Sequence, residues 1–300
     1  MKRILLFASF FSLCLTLFAC GSNSPSNPSG TQVNSQGSSA PVNLNKQMVT
    51  FQSKADDGKI LNLVGYLYKP DGNGPFPTII WNHGSETDAG EGENVDLLPV
   101  PFVEAGYAFF SPIRRGQGKS EGESITDTLN NFTGEEKGQK FVELMEGGQL
   151  NDQMAGLAYA KTLPFVDKDR LAVMGCSYGG IQTLMASKLD PATTGFKAAI
   201  AISPDAESWN NPAMQQHLTT EVAPKIAMPI YLLHPAKDVS IEPGLTLGRI
   251  LNESQKTFEL KIFPAFGDEH LQAHCFGGGL GTKIWAPDVL RFLDQVFHPS

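Results

Sequence analysis

Basic residues are scarce in this 300-residue chain. Its 23 Lys and Arg stand against 31 Asp and Glu, a formal net charge of −8, and no basic cluster occurs beyond Arg114-Arg115. Binding a polyanion requires a basic stripe or patch, so charge argues against nucleic acid as a partner. Long apolar runs are lacking too: Ile4 to Phe18 is too short for a comfortable membrane span. Metal ligands are sparse. His270 and His274 have a spacing that can bind zinc on a helix face, but the Glu expected after the first His in metalloproteases is absent and no third ligand is evident nearby, so no metal is expected. The run Arg114-Arg-Gly-Gln-Gly-Lys-Ser120 resembles the tail of a phosphate-binding loop, yet Ile113 stands where that pattern needs a glycine and no helix opens at Lys119.

What is present bounds the architecture. A hydrophobic content of 41% supports one full-sized core, and a single α/β domain of about 250 residues is ordinary. Lys2 and Arg3 ahead of the apolar run make residues 1–20 an export signal. It ends Leu17-Phe-Ala-Cys20, which resembles a bacterial lipobox whose cysteine becomes the lipid-modified first residue; plain secretion is the alternative. Residues 21–44 are almost entirely Ser, Asn, Gly, Pro and Gln up to Pro41, too poor in apolar surface to fold, and read as a flexible tether. By the rules familiar from lipoproteins, the lack of Asp after Cys20 points to an outer membrane or cell surface.

Residues 45–300 read as the folded domain. Met48–Lys54 and Ile60–Lys69 form a hairpin around Asp56-Asp57-Gly58, with Leu61, Leu63 and Leu67 on one face and Val64, Tyr66 and Tyr68 on the other. Strands and helices then alternate: strands at Thr78–Trp81, Tyr107–Ser111, Leu171–Met174, Ala198–Ile202, Ile230–Leu233 and Phe258–Phe263, helices at Asp152–Leu163, after Ser177, after Pro243 and through Val289–Phe297. This alternation predicts an α/β fold with a mostly parallel sheet of about eight strands and helices on both faces. Residues 121–148 have weak periodicity and many charges, and are expected as a surface excursion or partial lid.

The run Leu171-Ala-Val-Met-Gly175-Cys-Ser177-Tyr-Gly179-Gly180 is a buried strand breaking sharply into a helix with a serine at the break, a nucleophile elbow. The turn leaves no room for a Cβ at Gly175 or Gly179. Acyl transfer at Ser177 needs two backbone N–H groups on the developing oxyanion. Tyr178, after the nucleophile, and Ser85, in the loop Asn82-His83-Gly84-Ser85, fill those places, with Glu86 the rival to Ser85. His83 is expected to brace that loop rather than transfer protons. An acid is needed after a later strand: Ile230–Leu233 leads directly to Asp238, ahead of Asp205 and Glu242. The base is His274 in a glycine-rich loop, with His270 as the alternative. The order Ser, Asp, His is that of α/β-hydrolases.

Gly175-Cys-Ser-Tyr-Gly-Gly180, His83-Gly84, Asp238 and the His274 loop together resemble the dienelactone hydrolase family of α/β-hydrolases, with kinship to prolyl-oligopeptidase-like enzymes, over about Met48 to Phe297. The resemblance implies hydrolysis of small-molecule esters or lactones with no metal and no organic cofactor. The name-giving enzymes use a cysteine nucleophile, whereas here the elbow residue is Ser177 and Cys176 precedes it. A serine peptidase is one rival, although those enzymes usually add a propeller domain. An inactive surface-anchored binding protein is the other.

Once Cys14 and Cys20 are accounted for by the export segment, Cys176 and Cys275 remain, each beside a proposed site residue. In an oxidising compartment they could bridge, closing a loop of about 100 residues worth at most about 4 to 5 kcal/mol; the alternative is two inert thiols. The lipobox generates a first prediction. Cys20→Ser should move the protein from the membrane fraction to a soluble or uncleaved form, and wild type recovered wholly in the soluble fraction would remove the lipid anchor.

Overall fold

The computed structural model describes residues 44–85, 89–90, 95–267 and 270–299. The expected export segment with Cys20, all but the last residue of the expected tether, and Glu86 lie outside them. One eight-stranded sheet runs through the domain in the order β1-β2-β4-β3-β5-β6-β7-β8. The strands are β1 Gln47–Lys54, β2 Ile60–Tyr68, β3 Phe76–Asn82, β4 Ala108–Pro112, β5 Val166–Cys176, β6 Phe196–Ile202, β7 Ile230–Pro235 and β8 Phe258–Phe263. The predicted hairpin is there, β1 pairing antiparallel with β2 from Gln47 opposite Leu67 to Lys54 opposite Ile60. β2 pairs antiparallel with β4, and every pair from β4 to β8 is parallel.

Burial explains the central strands. Leu171, Ala172, Val173 and Met174 of β5 are all fully buried, as expected of a parallel strand covered on both faces. The pleat sends Ile80, Phe110 and Val173 into one core and Ile79, Phe109 and Met174 into another. Helices supply both layers. Leu150–Ala160 and the elbow helix Tyr178–Ser187 pack with the first core, and the C-terminal helix Thr282–Phe297 packs with the second.

Two departures from the sequence reading bear on the site. Residues 121–148, expected as a surface excursion or partial lid of weak periodicity, are largely helical: Ile125–Leu129 and Gly134–Leu144 are helices, and a wide turn at Met145–Gln149 carries the chain into Leu150–Ala160. Phe141 of this cap stacks near the Tyr178 ring, centroids 5.0 Å apart. Glu146 in the wide turn accepts hydrogen bonds from Lys188, at the end of the elbow helix, and from His217 Nε2 at 2.6 Å, at the end of the helix Pro212–His217. The second departure is the last helix. It starts at Thr282 and contains Pro287, because burial of Trp285 and Ala286 against the sheet outweighs the ring's cost within the helix.

Arg115, just past β4, grips Asp152 in a two-pronged ion pair, Nε to Oδ2 and Nη2 to Oδ1 both at 2.8 Å. Asp152 is almost wholly buried and also accepts from Ser53 Oγ of β1 at 2.6 Å. Removing one partner of such a pair leaves an uncompensated buried charge. Arg115→Ala should therefore lower stability by about 3 kcal/mol, read as a fall in the urea midpoint; an unchanged midpoint would show the pair to be dispensable.

Candidate active site

β5 ends at Cys176 and the chain reverses within one residue. Ser177 has φ 57° and ψ −122°, a region an L-residue enters only when its surroundings over-determine it. Those surroundings are backbone: Ser177 N–H donates to the Ile202 carbonyl of β6 at 3.0 Å, and Ile181 N–H returns to the Ser177 carbonyl at 3.0 Å. A Cβ on Gly179 would collide with the Asn82 carbonyl at the end of β3, and one on Gly175 with the Gly179 carbonyl. Both glycines are thus required by close approach, and Ser177 is left at the head of the elbow helix.

Beyond β7 the carboxylate of Asp238 is held between two imidazoles. His274 Nδ1 donates to Oδ1 at 2.7 Å and His234 Nδ1 to Oδ2 at 3.1 Å. Val239 N–H gives Oδ1 a further bond at 2.8 Å, and Ser203 hydrogen-bonds the same carboxyl. Burial alone would raise the Asp238 pKa; these donors and the charge available on His274 outweigh it and hold the group well below the usual carboxylate range. A carboxylate only accepts, so Nδ1 of His274 carries a proton, and in the neutral ring Nε2 presents its lone pair. That Nε2 is buried and has no hydrogen-bond partner among the described residues. It is therefore available as a proton acceptor.

The loop after β3 is fixed by Arg114. Its backbone N–H donates to His83 Nε2 at 3.1 Å, its Nη1 to the His83 carbonyl at 2.6 Å, and its Nη2 to the Gly84 carbonyl. Nη1 also reaches Gln182 Oε1 on the elbow helix at 3.1 Å. His83 is fully buried, and desolvation with the adjacent Arg114 charge pushes its pKa well below the ordinary value. It is a neutral brace, with Nδ1 donating to the Gly84 carbonyl at 2.9 Å.

These parts meet at one cavity of about 370 Å³. Ser177, His274, Ser85 and Gly84 line it together with Trp81, Ile202 and Glu207. So do Cys176 and Cys275, which form a disulfide with Cα atoms 6.0 Å apart. Tyr178 begins the elbow helix, where the first backbone N–H groups have no intrahelical acceptor. His270 opens the short helix His270–Ala273, and its side chain lies outside the described residues.

Strand order, helices on both faces and a serine at the turn after β5 define an α/β-hydrolase fold. Comparison with known proteins agrees. A model of the prolyl oligopeptidase family matches residues 125–222, less than half of the chain. The quorum-quenching protein AidA of Acinetobacter baumannii is 26% identical over 158 residues, 49% of this chain and 46% of that protein. The acylaminoacyl peptidase of Pyrococcus horikoshii superposes with a TM-score of 0.61 at 18% identity, covering 86% of this chain and 42% of the peptidase. Est1E from Butyrivibrio proteoclasticus, solved with ferulic acid bound, gives 0.57 at 20% identity, covering 82% of this chain and 98% of Est1E. A dienelactone hydrolase-type structure from Klebsiella pneumoniae shares the fold at similar identity. The aligned segment spans less than half the length of AidA and of the peptidase.

Sequence reasoning did not find His234 or Ser203. His234 reads as one more residue of the β7 strand, and only its position four before Asp238 hints at a contact. Asp205, the rival to Asp238, follows β6 at φ 58° and accepts from Ser208 through Oδ1, while its buried Oδ2 has no hydrogen-bond partner among the described residues. Burial pushes its pKa up from 3.8 to about 7, against the Ser208 bond, which lowers it. The folded state thus holds this proton more tightly than the unfolded chain. The penalty on folding is absent below about pH 4 and grows to its full size as pH rises to about 7. Asp205→Asn should match wild type in thermal unfolding near pH 4 and exceed it by several degrees at pH 8; a gap independent of pH would show that Asp205 is not buried as an acid.

Proposed function

We propose that the chain is a serine hydrolase of carboxylic esters or lactones, with Ser177 as nucleophile, His274 as base and Asp238 as the group that orients and stabilises it. The observation that carries this reading is that Ser177, on a backbone conformation held by its surroundings, shares one cavity with an imidazole whose Nδ1 is bound to a carboxylate at 2.7 Å and whose Nε2 has no hydrogen-bond partner among the described residues. Neutral His274 takes the Ser177 proton as Oγ attacks the carbonyl carbon. Asp238, kept ionised by its donors, stabilises the imidazolium. The amides of Tyr178 and Ser85 receive the oxyanion, each worth about 3 kcal/mol in the transition state. His274 then gives the proton to the leaving alcohol, and water attacks the acyl-enzyme by the reverse sequence of roles.

The cavity and the fold neighbours support the ester reading. A space of about 370 Å³ beside Trp81 suits a small acyl or aryl group. Est1E, solved with ferulic acid, aligns over nearly its whole length, whereas the peptidase aligns over 42% of its own. The prolyl oligopeptidase match keeps a peptidase as the second reading. In the ester reading the enzyme meets its substrate outside the cytoplasm, tethered through Cys20.

Ser177→Ala should leave at most a few per cent of the wild-type rate on a panel of p-nitrophenyl esters, with the circular dichroism unchanged, and should lose labelling by a fluorophosphonate. His274→Ala should do the same and His270→Ala should not; the reverse pattern would move the base to His270. Turnover of aminoacyl anilides with no turnover of esters would decide for the peptidase.

A further inference from the structure

The residue before the nucleophile and the residue after the base are the two ends of one covalent bond. Cys176 closes β5, Cys275 follows His274, and their sulfurs are bonded across a sequence separation of 99. The segment carrying the base has an improbable backbone. Cys275, Phe276 and Gly277 have φ of 52°, 57° and 64° in succession, and the first two carry side chains that disfavour this region. Such a run persists only where contacts on every side fix it. Phe276 is fully buried against Phe263, Phe266 and Trp285. On the side of the acid, Cys275 N–H donates to Ser203 Oγ at 3.3 Å, and Ser203 in turn hydrogen-bonds Asp238. On the side of the nucleophile, the disulfide joins the loop to the strand that presents Ser177.

These contacts divide the task. The hydrogen bonds to Asp238 and Ser203 set the tautomer and tilt of His274, but neither relates the imidazole to Ser177. The disulfide does, since it spans one residue from each. We propose that the Cys176–Cys275 bond is a positioning cross-link for the proposed hydrolytic site, and that it makes turnover conditional on the oxidised state of this pair; the proposal rests on the hydrolase reading. A dithiol reaches the bond from the substrate side, because both cysteines line the cavity and Cys275 is partly exposed. One thiolate of the reagent attacks a sulfur of the bond, forming a mixed disulfide and releasing the other cysteine. The reagent's second thiolate then displaces the remaining cysteine and leaves as a cyclic disulfide. Two electrons and two protons pass to the pair, and the dithiol is oxidised by the same amount. With the link open, the loop relaxes from its left-handed run and His274 is no longer held where it can close to the roughly 3 Å that proton transfer from Ser177 requires. A misplacement of about 1 Å is enough to cost about a hundredfold in rate.

The test uses the purified full chain with a p-nitrophenyl ester as substrate. It is reduced by dithiothreitol in the presence of EDTA, so that the freed thiolates and His274, whose ligand atoms lie within 4.8 Å of one another, capture no metal. Thiols are counted before and after. Reduction should release two thiols, lower kcat about a hundredfold with KM changed less than threefold, and suppress fluorophosphonate labelling of Ser177 in parallel. Far-UV circular dichroism should be retained, and removal of the dithiol under air should restore the rate. The Cys176→Ala/Cys275→Ala protein should resemble the reduced wild type and ignore dithiol. Full kcat with both thiols free overturns the proposal, as does a thiol count that reduction does not raise. If the unreduced protein neither turns over esters nor labels, the hydrolase reading falls and the cross-link proposal falls with it; unreduced activity that survives reduction removes the cross-link alone.

Discussion

The molecule is built around a contact in which no side chain fits. Where β5 turns into the elbow helix, the backbone of Gly179 lies against the carbonyl of Asn82 at the end of β3, and Gly175 lies against Gly179. That approach brings the helix start down onto the sheet and forces Ser177 into its unusual dihedrals. The loop after β3 must then pass close to the serine. Arg114 holds it there, bonding the carbonyls of His83 and Gly84 from one side and Gln182 of the elbow helix from another. A buried guanidinium is tolerable because its planar donor fork is met by backbone and amide oxygens and by Gln117. Its charge also helps keep His83 neutral.

The electrostatics of the site follow a division between two carboxyl groups on neighbouring loops. Both are desolvated. Asp238 is surrounded by donors and stays ionised; Asp205 has a single hydroxyl and is pushed to about 7. Burial acts in the same direction on both, so the number of donors decides. An ionised group beside His274 favours the imidazolium that the proposed reaction forms.

Much of the sheet was legible in the sequence because buried parallel strands have an unambiguous signature. Leu171–Met174 and Ala198–Ile202 are short apolar runs between turn residues, and β8 matches the expected Phe258–Phe263 end for end. The elbow could be read from its two glycines, whose requirement is steric and local. The cap was not legible. Gly134–Leu144 opens with a glycine and charged residues, and it becomes a helix through contacts such as Phe141 on Tyr178, made by residues distant in sequence. Ser203 escaped for the same reason, its partners Asp238 and Cys275 lying on other loops; His234 stands only four residues before Asp238, but a strand-end histidine does not by itself announce that contact. Asp238 could be proposed because the chain leads straight to it from β7, while the pairing of Cys176 with Cys275 stayed open beside two free thiols, since adjacency to proposed site residues does not fix the geometry between the sulfurs.

Glu146 gives the cap a property its helices alone would not have. One carboxylate clasps the far end of the elbow helix through Lys188 and the end of Pro212–His217 through His217, while the wide turn that carries it, kinked at Gly147, leads on into Leu150–Ala160. Burial opposes the charge on Glu146, but its two partners keep its pKa below the ordinary value. That single carboxylate therefore couples three segments far apart in the chain, and a change at any one of them is transmitted to the other two.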